Sequence, residues 1–118
     1  MTYQEVFERT KEIIMQYDAS KLEGHLAVDV RIEGEGEGIF YIELLEGKVY
    51  VEPYEYIDRD CRFVISAEDF LKIADGSLDS VFAFTTGRLK VEGSIDKALE
   101  FQNLVKSAKK KGKKNNVI

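Results

Sequence analysis

Two side chains in this sequence are of the types that most often carry acid–base or nucleophilic chemistry near neutral pH, and there is one of each: His25 and Cys61. An imidazole serves as a general base or metal ligand when a partner fixes its tautomer. A thiol becomes a nucleophile when a neighbour stabilises its thiolate. Neither condition is visible here. His25 opens an amphipathic run, where a lone histidine reads as a surface or edge residue. Cys61 has no activating partner nearby in sequence and reads as a small buried hydrophobe. One histidine and one cysteine cannot fill a structural zinc site. No G-x-S-x-G elbow and no Walker loop is present.

Two further clusters invite chemistry and do not support it. The run Gly34-Glu35-Gly36-Glu37-Gly38 is glycine-rich. A phosphate-binding loop leads into a helix N-terminus, whereas this one leads into a strand-like segment, and its glutamates would repel phosphate. Glu33, Glu35, Glu37 and Glu43 could be imagined around a divalent cation, but a solvated hairpin explains them as well.

Apolar side chains are what the sequence holds in surplus: seven Phe and six Tyr, with no Trp. Phe82 and Phe84 lie on a short segment between Gly76 and Gly87. Aromatic clusters of this kind ordinarily build a core. A ligand cavity would draw on the same residues, so composition leaves core and cavity both open.

The elements that would position these residues follow from periodicity. Thr2 and Glu5 form a T-x-x-E capping box. Val6, Phe7, Ile13, Ile14 and Tyr17 then recur at helical spacing, which predicts a helix over 2–17. A short turn or helix follows over 18–22, closed by Gly24. Residues 25–33 alternate, with Leu26, Val28, Val30 and Ile32 on one side and Ala27, Asp29, Arg31 and Glu33 on the other, the pattern of a half-buried strand. A second strand spans 39–45, and Glu46-Gly47 turns into a third over 48–52. Pro53 ends that strand or marks an edge. A fourth strand spans 61–65. Ser66 caps a helix bearing Phe70, Leu71 and Ala74, and Gly76 stops it. A short helix over 79–85, a strand over 88–92 and a last helix from 95 to about 109 complete the order. Strands come together first and helices later, so the fold class is α+β with a mostly antiparallel sheet.

The 118 residues make one domain, large enough to bury a core without staples. A single cysteine excludes an internal disulfide framework and fits a reducing compartment, so a cytoplasmic protein is expected. The first residues lack a basic region followed by an apolar run, and the last four are not a Ser-Lys-Leu address. No apolar run approaches the ~20 residues of a membrane span. Residues 1–105 sum to −11 and residues 106–118 to +6. So acidic a body would repel nucleic acid. The terminal lysines could touch anionic lipid or RNA; the plainer reading is a helix end complementing its dipole, followed by a frayed tail.

From Asp60 onward the chain resembles the sterol-carrier-protein-2 family. Asp60 to Leu71 looks like that family's strand and acid-capped helix. Ala74-Asp75-Gly76-Ser77-Leu78-Asp79 matches its helix-ending turn. Ala83-Phe84, Gly87-Arg88-Leu89-Lys90-Val91 and Gly93 form its most recognisable run, and Ala98-Leu99 with Gln102-Asn103-Leu104 match its last helix. The resemblance implies a five-stranded, mostly antiparallel sheet covered by helices, with an apolar tunnel between them. It implies a domain over 1–110 followed by a basic flexible tail over 111–118.

It also implies a non-enzymatic role: binding and transfer or presentation of a lipid-like ligand such as a fatty acid, acyl-CoA, sterol or isoprenoid. The alternative is a dimerisation or scaffold module that presents a hydrophobic intermediate to enzymes. Carried over position by position, the implied lining is Phe70, Ile73, Phe82, Phe84, Leu89, Leu99, Gln102 and Val105. Gln102 would be a polar anchor for the ligand or a plain surface glutamine. No cofactor, metal or nucleic acid is expected. Membrane contact would be transient at most and made through the tail, and the chain would be a monomer or homodimer.

Overall fold

The computed structural model describes the backbone of residues 1–116 and the side chains of residues 1–107. Helix α1 (Tyr3–Ile14) begins at Thr2, whose hydroxyl accepts from the Glu5 amide while the Glu5 carboxylate accepts from the Thr2 amide. The predicted box is therefore formed. The helix ends three residues before the expected limit, and Gln16 and Tyr17 close it with tighter backbone bonds to Ile13 and Ile14. Strands β1 (His25–Glu33), β2 (Gly38–Leu45) and β3 (Lys48–Glu52) form a meander. The β2–β3 turn uses Glu46 at φ 46° and Gly47 at φ 81°, the left-handed pair a two-residue hairpin turn requires.

Strand β4 (Cys61–Ser66) returns to the other side of β1 and pairs with it in parallel; β5 (Lys90–Gly93) pairs antiparallel to β4. The sheet order is β3-β2-β1-β4-β5, a mixed sheet in which the β1–β4 pairing is the parallel one. β3 is an edge strand, which is where Pro53 is tolerated. The expected α+β architecture with a mostly antiparallel five-stranded sheet is found.

The remaining helices are α2 (Ala67–Ala74), α3 (Ser80–Thr85) and α4 (Ile95–Asn116). Ser66 caps α2 through the Asp69 amide, and Asp79 caps α3 through the amides of Val81 and Phe82. The last strand starts two residues later than its alternation suggests. Arg88 and Leu89 instead donate their amides to the Ala83 carbonyl and stay bound to the end of α3. The α4 backbone also continues beyond the expected end near 109. The side chains of the expected basic tail, 111–118, lie outside the described residues.

One face of the sheet carries the core. Leu26, Val28, Val30 and Ile32 of β1 and Phe40, Ile42 and Leu44 of β2 are all buried, as their alternation requires. Aromatic rings link the helices to them. Phe40 packs edge-on to Phe7 of α1 and Phe70 of α2, and Phe63 packs edge-on to Phe101 of α4. Each such pair adds about 0.5–1.5 kcal/mol beyond area burial.

The other face of β1 is covered too, which its alternation does not announce. Ala27 and Asp29 are both fully buried. The segment 53–60 straps across them. Arg62 grips the Asp29 carboxylate with both prongs, at 2.7 and 3.0 Å, and Arg59 stands 3.6 Å away. Arg62 also reaches Glu55 in the strap. Hydrogen bonding to Asp29 pushes the Arg62 pKa up against the opposing desolvation.

A buried pair is worth little against an apolar replacement but costs dearly when half of it is removed. Asp29→Asn should therefore lower unfolding free energy by about 3 kcal/mol or more. Asp29→Leu combined with Arg62→Met should recover most of that loss. Urea unfolding checks both, and a single variant within 1 kcal/mol of wild type, to give the order of magnitude, would show the pair to be dispensable.

Candidate functional site

The single histidine lies on the strapped face. His25 Nε2 is 2.6 Å from Glu43 Oε2, and the Tyr56 hydroxyl donates to the same carboxylate oxygen at 2.7 Å. That hydrogen bond, ahead of desolvation, pushes the Tyr56 phenol up to about 12. The cluster ties the strap to β1 and β2. Cys61 is buried on the core face, and desolvation, followed by the Asp60 and Asp29 carboxylates, pushes its thiol up to about 12. Such a thiol is the opposite of an activated nucleophile. Among the described residues no group of three or more His, Cys, Asp or Glu could hold a metal ion. No described helix is long and apolar enough to cross a membrane.

A cavity of about 260 Å³ opens where α3 and the start of α4 cross the β4–β5 edge of the sheet. Its floor is Phe63 of β4 and Val91 of β5, partners in the register. Val81 and Phe84 of α3 form one wall; Ile95, Ala98 and Leu99 of α4 form the other; Leu89 joins them. Ser80 and Thr85 are its polar members. The mouth is open to solvent, since Val81, Phe84, Ile95 and Leu99 are each 44–47% exposed.

Close backbone contacts position the α4 wall. Gly93 sits at φ 98°, and a Cβ there would lie 2.8 Å from the Asp60 carbonyl oxygen. The next residue, Ser94, donates its amide to that same oxygen at 2.9 Å. Its hydroxyl then accepts from the Lys97 amide and starts α4. The α3 wall is held by Gln102. Its Oε1 accepts from the Ser80 amide at 2.9 Å and from the Ser80 hydroxyl, and its Nε2 donates to Asp79 at 3.3 Å.

The eight residues implied as lining therefore fall in different places. Phe84, Leu89 and Leu99 lie on the cavity walls. Phe70, Ile73 and Val105 are buried in the core. Phe82, 54% exposed, stands on the outer side of α3. Gln102 is buried and joins the two walls. Ser80, Val81, Ile95 and Ala98 line the cavity without having been singled out; the helical period places Ile95, Ala98 and Leu99 on one face of α4.

Replacing Gln102 with Leu preserves volume and orphans the Ser80 donors. The expected cost is about 1–3 kcal/mol, with faster amide hydrogen exchange across α3 and little change in α1. Uniform acceleration over the whole chain would instead mark Gln102 as an ordinary core residue. The Cys61 proton gives a second expectation. A folded-state pKa above the unfolded one gives stability that is intact below about 8.5 and lost as pH climbs through the folded value. Cys61→Ala should flatten the decline in stability that sets in above about pH 8.5. An unchanged slope would contradict the burial of that thiol.

Comparison with known proteins agrees with this geometry. A family model described as the SCP-2 sterol transfer family matches residues 4–106. Sterol carrier protein 2 of Homo sapiens is 28% identical over 106 residues, which is 88% of this chain and 19% of the human one. The chain thus spans about a fifth of that relative. A solved structure of a ubiquinone synthesis protein, UbiJ-SCP2, superposes with a TM-score of 0.66 at 21% identity, covering 90% of this chain and 94% of that one. The sec-alkylsulfatase Pisa1 from Pseudomonas sp. gives 0.67 at 20% identity, but over 78% of this chain and 15% of the sulfatase. With the family match covering most of its length and the same fold found in solved structures, the chain belongs to the SCP-2 sterol transfer family.

Proposed function

We propose that this chain is a non-catalytic carrier that holds the apolar part of a lipid-like molecule between α3, α4 and the β4–β5 edge. The class of ligand is fatty acyl, isoprenoid or sterol. The observation that carries the reading is the cavity itself. It is walled by aliphatic and aromatic side chains, open at one side, and has a serine and a threonine as its polar members. Its volume of about 260 Å³ falls just below the ~300 Å³ at which small-molecule sites begin. A longer chain would fill it and leave a polar head at the mouth, where water solvates it.

Family membership supports the lipid reading, because the family is one of lipid-binding domains. Support for a non-catalytic role is chemical. His25 faces away from the cavity, and Cys61 keeps its proton. Among the described residues that line the cavity, only a serine and a threonine are polar, and none is a carboxylate, a histidine or a cysteine. The sulfatase neighbour carries this fold as a minor part of a much longer chain, and its activity is not transferred. The lone buried cysteine suits a reducing compartment, and cytoplasmic residence is part of the proposal.

Delipidated protein titrated with a long-chain fatty acid should gain thermal stability. At a hundred times Kd the gain is about 2.7 kcal/mol, or a rise in Tm on the order of 10 °C. Ala98→Trp should fill the cavity, leave the fold intact by circular dichroism and abolish the shift. If fatty acids, isoprenoids and sterols all leave wild-type Tm unchanged, the carrier reading fails.

A further inference from the structure

The cavity has a floor and a closed side, and together they limit how much of a ligand can enter. Phe63, at the floor, is fully buried and packs edge-on against Phe101, with 5.4 Å between ring centroids. Phe101 is fully buried as well, so the floor is two rings deep. The side between the helices is closed by polar bonds. Gln102 of α4 accepts from the amide and the hydroxyl of Ser80 at the start of α3.

A second cavity, of about 160 Å³, lies on the other flank of α4, among Leu22, Leu26, Leu44 and Leu104. The two cavities share no lining residue. On the helical period, buried Phe101 and Val105 fall between Ala98, which lines the first, and Leu104, which lines the second. The packed face of α4 therefore keeps the two apart, and a chain entering the first does not run on into the second.

Volume then sets the number of carbons. An apolar cavity of about 150 Å³ holds a benzene ring, or about 25 Å³ for each carbon. On that scale a cavity of about 260 Å³ holds about ten carbons. The fused rings of a sterol alone exceed that number, and a palmitoyl chain would leave about six of its carbons outside.

We propose that the site selects a single aliphatic chain of medium length, about eight to ten carbons, bound tail-first against Phe63. This limit rests on the carrier reading and narrows its ligand class: straight acyl chains fit, and sterols do not. Methylenes within the limit pass from water to an apolar wall. Those beyond it stay at the mouth, where Val81, Phe84 and Leu99 are themselves half-exposed. Affinity therefore climbs with chain length and then levels off.

Calorimetric titration of the delipidated chain with saturated fatty acids, from hexanoate through decanoate to palmitate, tests the limit. Kd should fall about fourfold for each methylene as far as decanoate, and by less than about twofold for each one beyond it. The heat-capacity change of binding should level off at the same length, because it follows the apolar area buried. Cholesterol should not bind. Ala98→Leu puts three more carbons into the cavity wall and keeps a strong helix former in α4. It should bring the plateau in by about three carbons, with Tm no lower than that of wild type. Affinity that keeps rising about fourfold per methylene through palmitate, or tight binding of cholesterol, would overturn the limit and leave the carrier reading standing. So would a plateau that Ala98→Leu leaves in place. Absence of binding by every member of the series would reject the carrier reading itself, and the limit with it.

Discussion

The buried carboxylate of Asp29 sets the terms for the whole sheet. β1 is the strand flanked by β2 and β4, and both of its faces are covered. One face meets the helices through Val28, Val30 and Ile32. The other would be open, as antiparallel-rich sheets often are, were it not for the charge that Arg62 and Arg59 neutralise. Their grip holds the strap that precedes β4, and the strap ends at Asp60. That residue exchanges backbone and side-chain bonds with Ala27 at 2.8 Å each. Its carbonyl then receives Ser94 across the bare backbone of Gly93. A chain of short polar contacts therefore runs from the middle of β1 to the first turn of α4. Ile95, Ala98 and Leu99 stand where they do because of it.

Much of the fold is legible in the sequence, because local signals and global burial agree there. The alternation of 25–33 gives β1 to the residue, and Thr2 and Ser66 each cap the helix that follows. The strap is not legible. Asp29 occupies an outward position in that alternation, where a charge ordinarily means solvent. Nothing near it in sequence reveals that Arg62, across a parallel pairing, will close over it. Parallel partners are distant along the chain, and their contacts leave no short-range pattern. The late start of β5 has a similar origin. Arg88 and Leu89 continue the apolar alternation, yet their amides are taken by Ala83.

The cavity is legible only in part, since a phenylalanine in a core and one in a wall have the same composition. The structure divides them by what stands opposite. Phe40 and Phe70 face other rings and are wholly buried, whereas Phe84 faces the gap between α3 and α4. The resemblance to a family supplies positions but not their neighbours. Gln102 shows the difference. Its place among apolar residues invites a ligand-anchoring role, yet its three hydrogen bonds are spent on Ser80 and Asp79. A buried amide so satisfied contributes stiffness between two walls and has little left to offer a headgroup.

The persistence of a gap at this place needs a cause, because a protein interior closes on voids where it can. Collapse here would require α3 to tilt inward and α4 to slide. Both movements are opposed by polar contacts that a tilt would break: the Asp79 cap and Gln102 at one end of α3, the Ala83 carbonyl at the other, and Ser94 beneath α4. Breaking two or three such bonds in a buried setting costs about 1–3 kcal/mol each. Covering Val81, Phe84 and Leu99 would return a similar amount, about 1.5–3 kcal/mol for each side chain fully buried from full exposure and roughly half that from the partial exposure seen. The two sums nearly balance. A frame of hydrogen bonds can therefore hold an apolar cavity open without great cost, and a modest ligand is enough to fill it.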